Sequence, residues 1–237
     1  MGTVSIVEGR IDCSQMTTRQ INTAIRHAAQ RGSSSITLIN PDTRHNLAVG
    51  IVDALRINIE GSVGYYAGGL SDGIQLTING VAGWGLAENL MSGEVLLKGS
   101  AGQSAAASIR GGRVVIQGDA GARCGIAMKG GTVVVGGNVG YMSAFMMQKG
   151  ILVVCGDADE ALGDSIYEGV IYLRGTCRSL GSDAEEQEFT EQDLQAVSAA
   201  LKGIGIDANP ADFRRIASAR RLYNFSTKER KIWTTAL

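Results

Sequence analysis

Val114–Thr132 reads VVIQGDAGARCGIAMKGGT, and Val133–Ile151, directly after it, reads VVVGGNVGYMSAFMMQKGI. Laid together without a gap, Gly118 falls on Gly137, Gly121 on Gly140 and Met128 on Met147. Outward in both directions the register holds. A glycine returns every 19 residues at Gly61, Gly80, Gly99, Gly118, Gly137, Gly156 and Gly175. A second series keeps the same period at Gly93, Gly112, Gly131, Gly150 and Gly169. A fixed period near 20 residues marks a stacked-repeat architecture.

Each unit opens on an apolar stretch. Four residues before the anchor glycine stand Ile57, Leu76, Val95, Val114, Val133, Leu152 and Ile171. Two before it stand Ile59, Ile78, Leu97, Ile116, Val135, Val154 and Leu173. Branched residues at period 2 make a strand. The residue just before the anchor varies freely (Glu60, Asn79, Lys98, Gln117, Gly136, Cys155, Arg174), which predicts that it faces water. Three residues after the anchor comes Gly64, Gly83, Gly102, Gly121 or Gly140, with Asp159 breaking the series. Seven after it the side chain is always tiny: Gly68, Ala87, Ala106, Gly125, Ala144, Gly163. Ten after it Leu90, Ile109, Met128, Met147 and Ile166 turn inward again. Glycine suits a positive φ or a close backbone approach. If φ is positive at Gly118, Gly118→Val disrupts a corner, while Gln117→Lys next to it is silent.

The expected fold is therefore an all-β core, a parallel β-helix of about seven 19-residue coils with α-helical N- and C-terminal caps. Seven coils at the ~4.8 Å inter-strand spacing span roughly 34 Å. A hexapeptide solenoid needs a sub-period of six, and a calcium-binding roll needs paired glycines with a regular Asp; neither pattern is present. The Gly-x-x-Gly fragments lack the ~30-residue βαβ context of a dinucleotide fold. The 33 glycines of 237 residues are about twice the usual ~7%, an excess the repeats explain.

The division predicted is an α/β cap over residues 1–50, the β-helix over 51–181 and a helical arm over 182–237. Ile21, Ala24, Ile25 and Ala28 lie at helical spacing, with Thr17 or Thr18 as cap, and SITLI (35–39) reads as a strand. Glycine becomes sparse near residue 182. Thr190 with Asp193 starts a helix whose stripe is Leu194, Val197, Leu201 and Ile204. Asn209-Pro210 starts a second, with Phe213, Ile216, Ala217 and Leu222 buried. Six acids crowd residues 183–193, and Arg214, Arg215, Arg220, Arg221, Lys228, Arg230 and Lys231 follow at 213–231. These charges read either as solvated faces or, with Tyr223, Phe225 and Trp233 among them, as a docking arm.

Chemistry is sparse in the sequence. A net charge of −1 gives no argument for nucleic acid or membrane, and no ~18-residue apolar run exists. Cys13, Cys124, Cys155 and Cys177 show no paired spacing and read as buried free thiols of a cytoplasmic protein. His27 reads as a surface residue and His45 as part of a polar turn. No nucleophile–base constellation or metal-ligand spacing stands out. Asp157, Asp159, Glu160 and Asp164 crowd the sixth coil, where a carboxylate pair or a calcium site is weighed against a solvated corner.

The repeats resemble the glycine-rich C-terminal domain of the large subunit of glutamate synthase, a right-handed parallel β-helix with a Gly-x-x-Gly-x-x-x-Gly repeat. The pattern is complete at Gly61, Gly64, Gly68 and at Gly118, Gly121, Gly125, and covers about residues 50–178. It is also similar to the third subunit of formylmethanofuran dehydrogenases. The stretch Asn40–Gly50 and the tail Phe213–Tyr223 look like the free-standing β-helix subunits of split glutamate-synthase-type enzymes, above all N-methylglutamate synthase. The resemblance implies a structural chain, with FMN and an iron–sulfur cluster on a synthase-like partner subunit and an amidotransferase-like partner beside it. No cofactor, metal or catalytic residue carries over to this chain. The family's amidotransferase nucleophile is an N-terminal cysteine, and Met1-Gly2 stands here. Gly61, Gly64, Gly68, Gly80, Gly83, Gly99, Gly102, Gly118, Gly121, Gly125, Gly137, Gly140, Gly156 and Gly175 carry over as structural positions only. Candidate interface residues are Arg44, His45, Asn46, Arg214, Arg215, Arg220, Arg221, Tyr223, Phe225 and Trp233.

Three readings follow: a scaffold subunit of a glutamate-synthase-type hetero-oligomer, a formylmethanofuran-type subunit, or a stand-alone carbohydrate-binding or carbohydrate-active β-helix. The last calls for a ladder of aromatics, which the repeat region is not expected to form. For the first, deleting residues 183–237 is expected to release partners and leave a soluble solenoid.

Overall fold

The apolar columns predicted from the repeat become the interior of a parallel β-solenoid. The computed structural model describes residues 9–221. Its strands are β1 (Arg10–Asp12), β2 (Ser35–Ile39), β3 (Arg56–Glu60), β4 (Ile74–Ile78), β5 (Gly93–Leu97), β6 (Arg113–Ile116), β7 (Lys129–Val135), β8 (Lys149–Val154), β9 (Val170–Leu173), β10 (Ala184–Gln187) and β11 (Arg214–Ser218). One sheet runs β1 to β9 in sequence order, every pair parallel. Ile57, Leu76, Val95, Val114, Val133, Leu152 and Ile171 are successive partners, and so are Ile59 through Leu173. All are buried. Each contributes about 1.5–3 kcal/mol, and a one-residue slip would turn both columns outward, so the register is fixed.

After each anchor the chain turns a corner and makes a one-residue parallel bridge. These bridges form a second column: Val63, Ala82, Ala101, Ala120, Val139, Ala158, Cys177. The stretch beyond is a stack of turns. Three alternate residues in each coil take positive φ, such as Tyr66, Gly68, Leu70 and, further on, Arg123, Gly125, Ala127. The first and third N–H groups donate to the next coil and the middle one to the previous coil (Arg123 to Tyr141, Ala127 to Phe145, Gly125 to Ala105, each 2.8 Å). Those bonds hold tyrosine, arginine and methionine in a region that L residues otherwise avoid.

The anchor glycines have a different cause from the one expected. Among the seven, only Gly61 has positive φ, at 132°. At Gly156 an added Cβ would lie 2.6 Å from the Gly137 carbonyl carbon and oxygen; at Gly118 it would meet Ser100 Oγ and lie 3.0 Å from the Gly99 carbonyl carbon. Coils approach too closely there for any side chain. Positive φ belongs instead to the small residues seven positions on, and to Gly93, Gly112, Gly131 and Gly150 of the second series.

Helix α1 (Thr18–Gln30) joins β1 to β2 and seals one end of the core with Ile21, Ala24, Ile25 and Ala28. Thr17 and Gln20 form its capping box. Asn22 ties it down by donating to Asn46 O (2.7 Å) and accepting from Ala48 N (2.9 Å).

At the other end the expected second helix is absent. Pro210–Asp212 is a single 3₁₀ turn, and β11 follows, antiparallel to β9, with β10 antiparallel on its outer side. Phe213, Ile216 and Ala217 are buried as predicted, but Ile216 and Ala217 lie on a strand and Phe213 just ahead of it. The open edge of β9 supplies a full set of backbone partners, and this tertiary pairing overrides the helical spacing. Leu222 lies outside the described residues.

The predicted first arm helix is α2 (Glu191–Leu201), capped by Thr190 and Asp193. It lies on the outer face of the sheet. Val115, Val134, Val153 and Tyr172 point outward and form a second core with Val197, Ala200, Leu201, Ile204 and Phe213. The residue before the anchor is therefore not always in water. Cys155 is buried, and Gln117 Nε2 donates to Ile204 O at 2.9 Å. Gln117→Lys is now expected to cost about 1 kcal/mol rather than nothing, by equilibrium urea unfolding; no change would place the 202–206 segment elsewhere.

Candidate functional site

Arg44, His45 and Asn46 sit on the loop that enters the first coil. His45 Nδ1 accepts the Tyr65 N–H at 2.8 Å, which makes that nitrogen the unprotonated one. Its ring stacks on Tyr65 at 4.4 Å and 16°, and Tyr65 stacks on Trp84 at 5.2 Å and 15°. An aromatic ladder therefore does exist, contrary to expectation. Its signal was the 19-residue step from Tyr65 to Trp84; His45 is 20 residues earlier and escapes a strict period. The rings lie over the glycines of the following coil: an added Cβ would strike His45 at Gly64, and would lie 2.5 Å from Tyr65 at Gly83 and 2.7 Å from Trp84 at Gly102. Asn46 N donates to Tyr65 O (2.7 Å), and Arg44 Nη2 reaches Ser14 O at 3.4 Å.

The C-terminal charges largely meet each other. Arg214 pairs with Glu186 (3.3 Å), Arg215 with Asp193 (3.3 Å) and Arg221 with Glu185 (3.4 Å). Arg214 Nη2 also donates to Gly175 O at 2.7 Å. Three of the candidate interface arginines are thus engaged inside the chain. Arg220 donates its N–H to Ser218 Oγ. Tyr223, Phe225 and Trp233 lie outside the described residues.

Asp193 is the centre of this clasp. It accepts from the Tyr172 hydroxyl at 2.7 Å and from Thr190 Oγ1 and N at 2.6 and 2.8 Å. Burial pushes its carboxyl up, but the Thr190 and Tyr172 bonds and the Arg215 charge outweigh that and hold it below the ordinary 3.8. Its contribution is complete above the unfolded-state value and is lost as pH falls through the lower folded-state value. Asp193→Asn is expected to lower neutral stability by about 1.5–3 kcal/mol and to flatten the acid limb below about pH 4 in a urea series across pH. An unchanged acid limb would remove Asp193 from the clasp.

The carboxylates of the sixth coil also have structural partners. Asp157 accepts from Thr176 N (2.6 Å) and Oγ1 (2.9 Å), which holds it below the usual range. Asp159 meets Arg178 at 3.3 Å, and Asp164 accepts from Ser182 N at 3.0 Å. Asp157 closes a column in which each side chain accepts the N–H one coil on: Ser100 from Asp119, Asp119 from Asn138, Asn138 from Asp157.

The four cysteines are free, with Cys13, Cys124 and Cys155 buried. Burial pushes the Cys13 thiol to about 11 and Cys124 to about 12, far from thiolate reactivity at neutral pH. Among the described residues no three His, Cys, Asp or Glu converge on a metal position. No described helix is long and apolar enough to cross a membrane.

Two comparisons bear on this architecture. A family model described as the GXGXG motif matches residues 14–234. Protein GlxC of Rhizobium meliloti (strain 1021) is 47% identical over 67 residues, covering 28% of this chain and 29% of that relative's length.

Proposed function

Because the chain belongs to the GXGXG motif family, we propose that it is a structural subunit of a multi-subunit glutamate-synthase-type enzyme, specifically N-methylglutamate synthase. In this reading it positions an amidotransferase-like subunit against a synthase-like subunit that carries FMN and an iron–sulfur cluster. The observation that carries the reading is the finished state of the solenoid. Helix α1 seals one end, β11 and β10 terminate the other, and α2 covers the outer apolar face. An apolar solenoid core left bare would pair with other chains; here the chain's own α1, β11, β10 and α2 cover it, as expected of a free-standing scaffold. The similarity to Protein GlxC over 67 residues agrees with a glycine-repeat relative but says nothing further of partners.

The test is gentle purification of the tagged chain from its own host, read by native mass and visible spectrum. A large assembly with flavin and iron–sulfur absorbance is expected. It should form N-methylglutamate from methylamine and glutamate. A colourless chain alone at every protein and salt concentration tried would overturn the proposal.

A further inference from the structure

Away from the outer sheet face that α2 covers, three exposed aromatics, Tyr65, Tyr66 and Trp84, gather on the turn side of the first coils. Trp84 is 48% exposed and Tyr66 45%. Tyr66 stands at 81° to Tyr65, while Trp84 is nearly parallel to Tyr65, so Tyr66 and Trp84 form two steeply inclined walls. Their backbones are coupled, since Tyr66 N donates to Trp84 O at 2.7 Å. Both rings line a groove of about 370 Å³, together with Gly85, Gln103, Ser104, Ala107 and Ser108 among others. Gly85 makes room for the Tyr66 ring, which an added Cβ would strike. Glu88 lines the groove, and its carboxylate makes no ion pair among the described residues.

We propose that this groove receives an arginine side chain of a partner protein, docked between the Tyr66 and Trp84 faces and paired with Glu88. The proposal rests on the scaffold reading above. Two aromatic faces and one unpaired carboxylate are the chemistry that takes a flat, weakly hydrated cation. A guanidinium stacks on a ring face while its N–H fork meets a carboxylate; an ammonium is a compact, strongly hydrated point charge and uses only part of this arrangement. The walls are held in advance by the ring stack and the inter-coil hydrogen bond, so little ordering opposes docking. The groove is open to solvent rather than closed around a small ligand, which fits a side chain presented from another surface.

The groove is read first on the chain itself. Trp233→Phe leaves Trp84 as the sole tryptophan. Titration with Nα-acetylarginine amide is expected to change Trp84 emission saturably. Glu88→Gln should weaken that binding about tenfold, and the neutral citrulline analogue should give no saturable change. In the isolated complex, Glu88→Lys, at a partly exposed position, should raise the dissociation constant of the contacting subunit about tenfold or more while the melting temperature of the free chain stays put. Charge reversal of the matching arginine should restore it. No saturable response, or a saturable response with assembly unmoved by Glu88→Lys, overturns the docking site. Absence of any assembly would defeat the scaffold reading, whereas the titration reports on the groove alone.

Discussion

Gly156→Val will destabilise the protein by about 3 kcal/mol or more, which at this chain length lowers the melting temperature by roughly 10 °C. The Cβ position at Gly156 is 2.6 Å from the carbonyl carbon and oxygen of Gly137. Those atoms are backbone, and Gly137 O is already committed to Gly156 N at 2.9 Å. Neither side can yield without separating two coils, and the apolar columns would then lose contact above and below. Gly118→Val should act in the same direction with a smaller effect, because its nearest backbone obstacles lie 3.0 Å away rather than 2.6 Å. Thermal unfolding by circular dichroism checks both. A melting point within a degree of the parent for Gly156→Val would show that the coils are not packed as described.

Removal of residues 183–237 is the second large effect, and its expected outcome is insoluble or molten protein, not a soluble solenoid. The deletion takes away α2 and β11 together. It uncovers Val115, Val134, Val153 and Tyr172, which are buried against the arm, and bares the edge of β9. Four or five large apolar side chains at about 1.5–3 kcal/mol each amount to the whole stability of an ordinary domain. The solubility of the truncated chain and its protease resistance measure this directly. A monomeric truncated chain with an undiminished melting point would return the arm to a purely external role. For this reason partner release cannot be tested by that deletion, and the Glu88 substitutions serve instead.

The columns from Ile57 to Ile171 and from Ile59 to Leu173 were legible because two periods coincide on them: two residues within a strand, nineteen between strands. Thr17 and Thr190 announced their helices by capping chemistry that is local in sequence. What failed was non-local. Phe213, Ile216 and Ala217 satisfy helical spacing, and only the waiting edge of β9 draws Ile216 and Ala217 into a strand. The outward column was present in the sequence as Leu96, Val115, Val134 and Val153 following Asn58 and Thr77. Its change from polar to apolar reads as a covered face only once a cover is seen. Positive φ at Tyr66, Arg123 and Met142 has no signature in residue type, because neighbouring coils impose it through hydrogen bonds. The candidate groove was half legible: Tyr65 and Trp84 share the repeat register, but the inclination of Tyr66 depends on that imposed backbone.

The antiparallel β11 has a consequence for size. A strand of opposite sense cannot seed another parallel coil, so growth stops at β9, while at the start α1 packs across the core beside the short edge strand β1. Between those two ends the molecule is a ruler graduated in coils. Its length can change only by whole nineteen-residue units, in steps of about 4.8 Å. Bodies fastened near the two ends are held at a separation that is counted rather than tuned, and a lineage that gains or loses one repeat shifts that separation by one division.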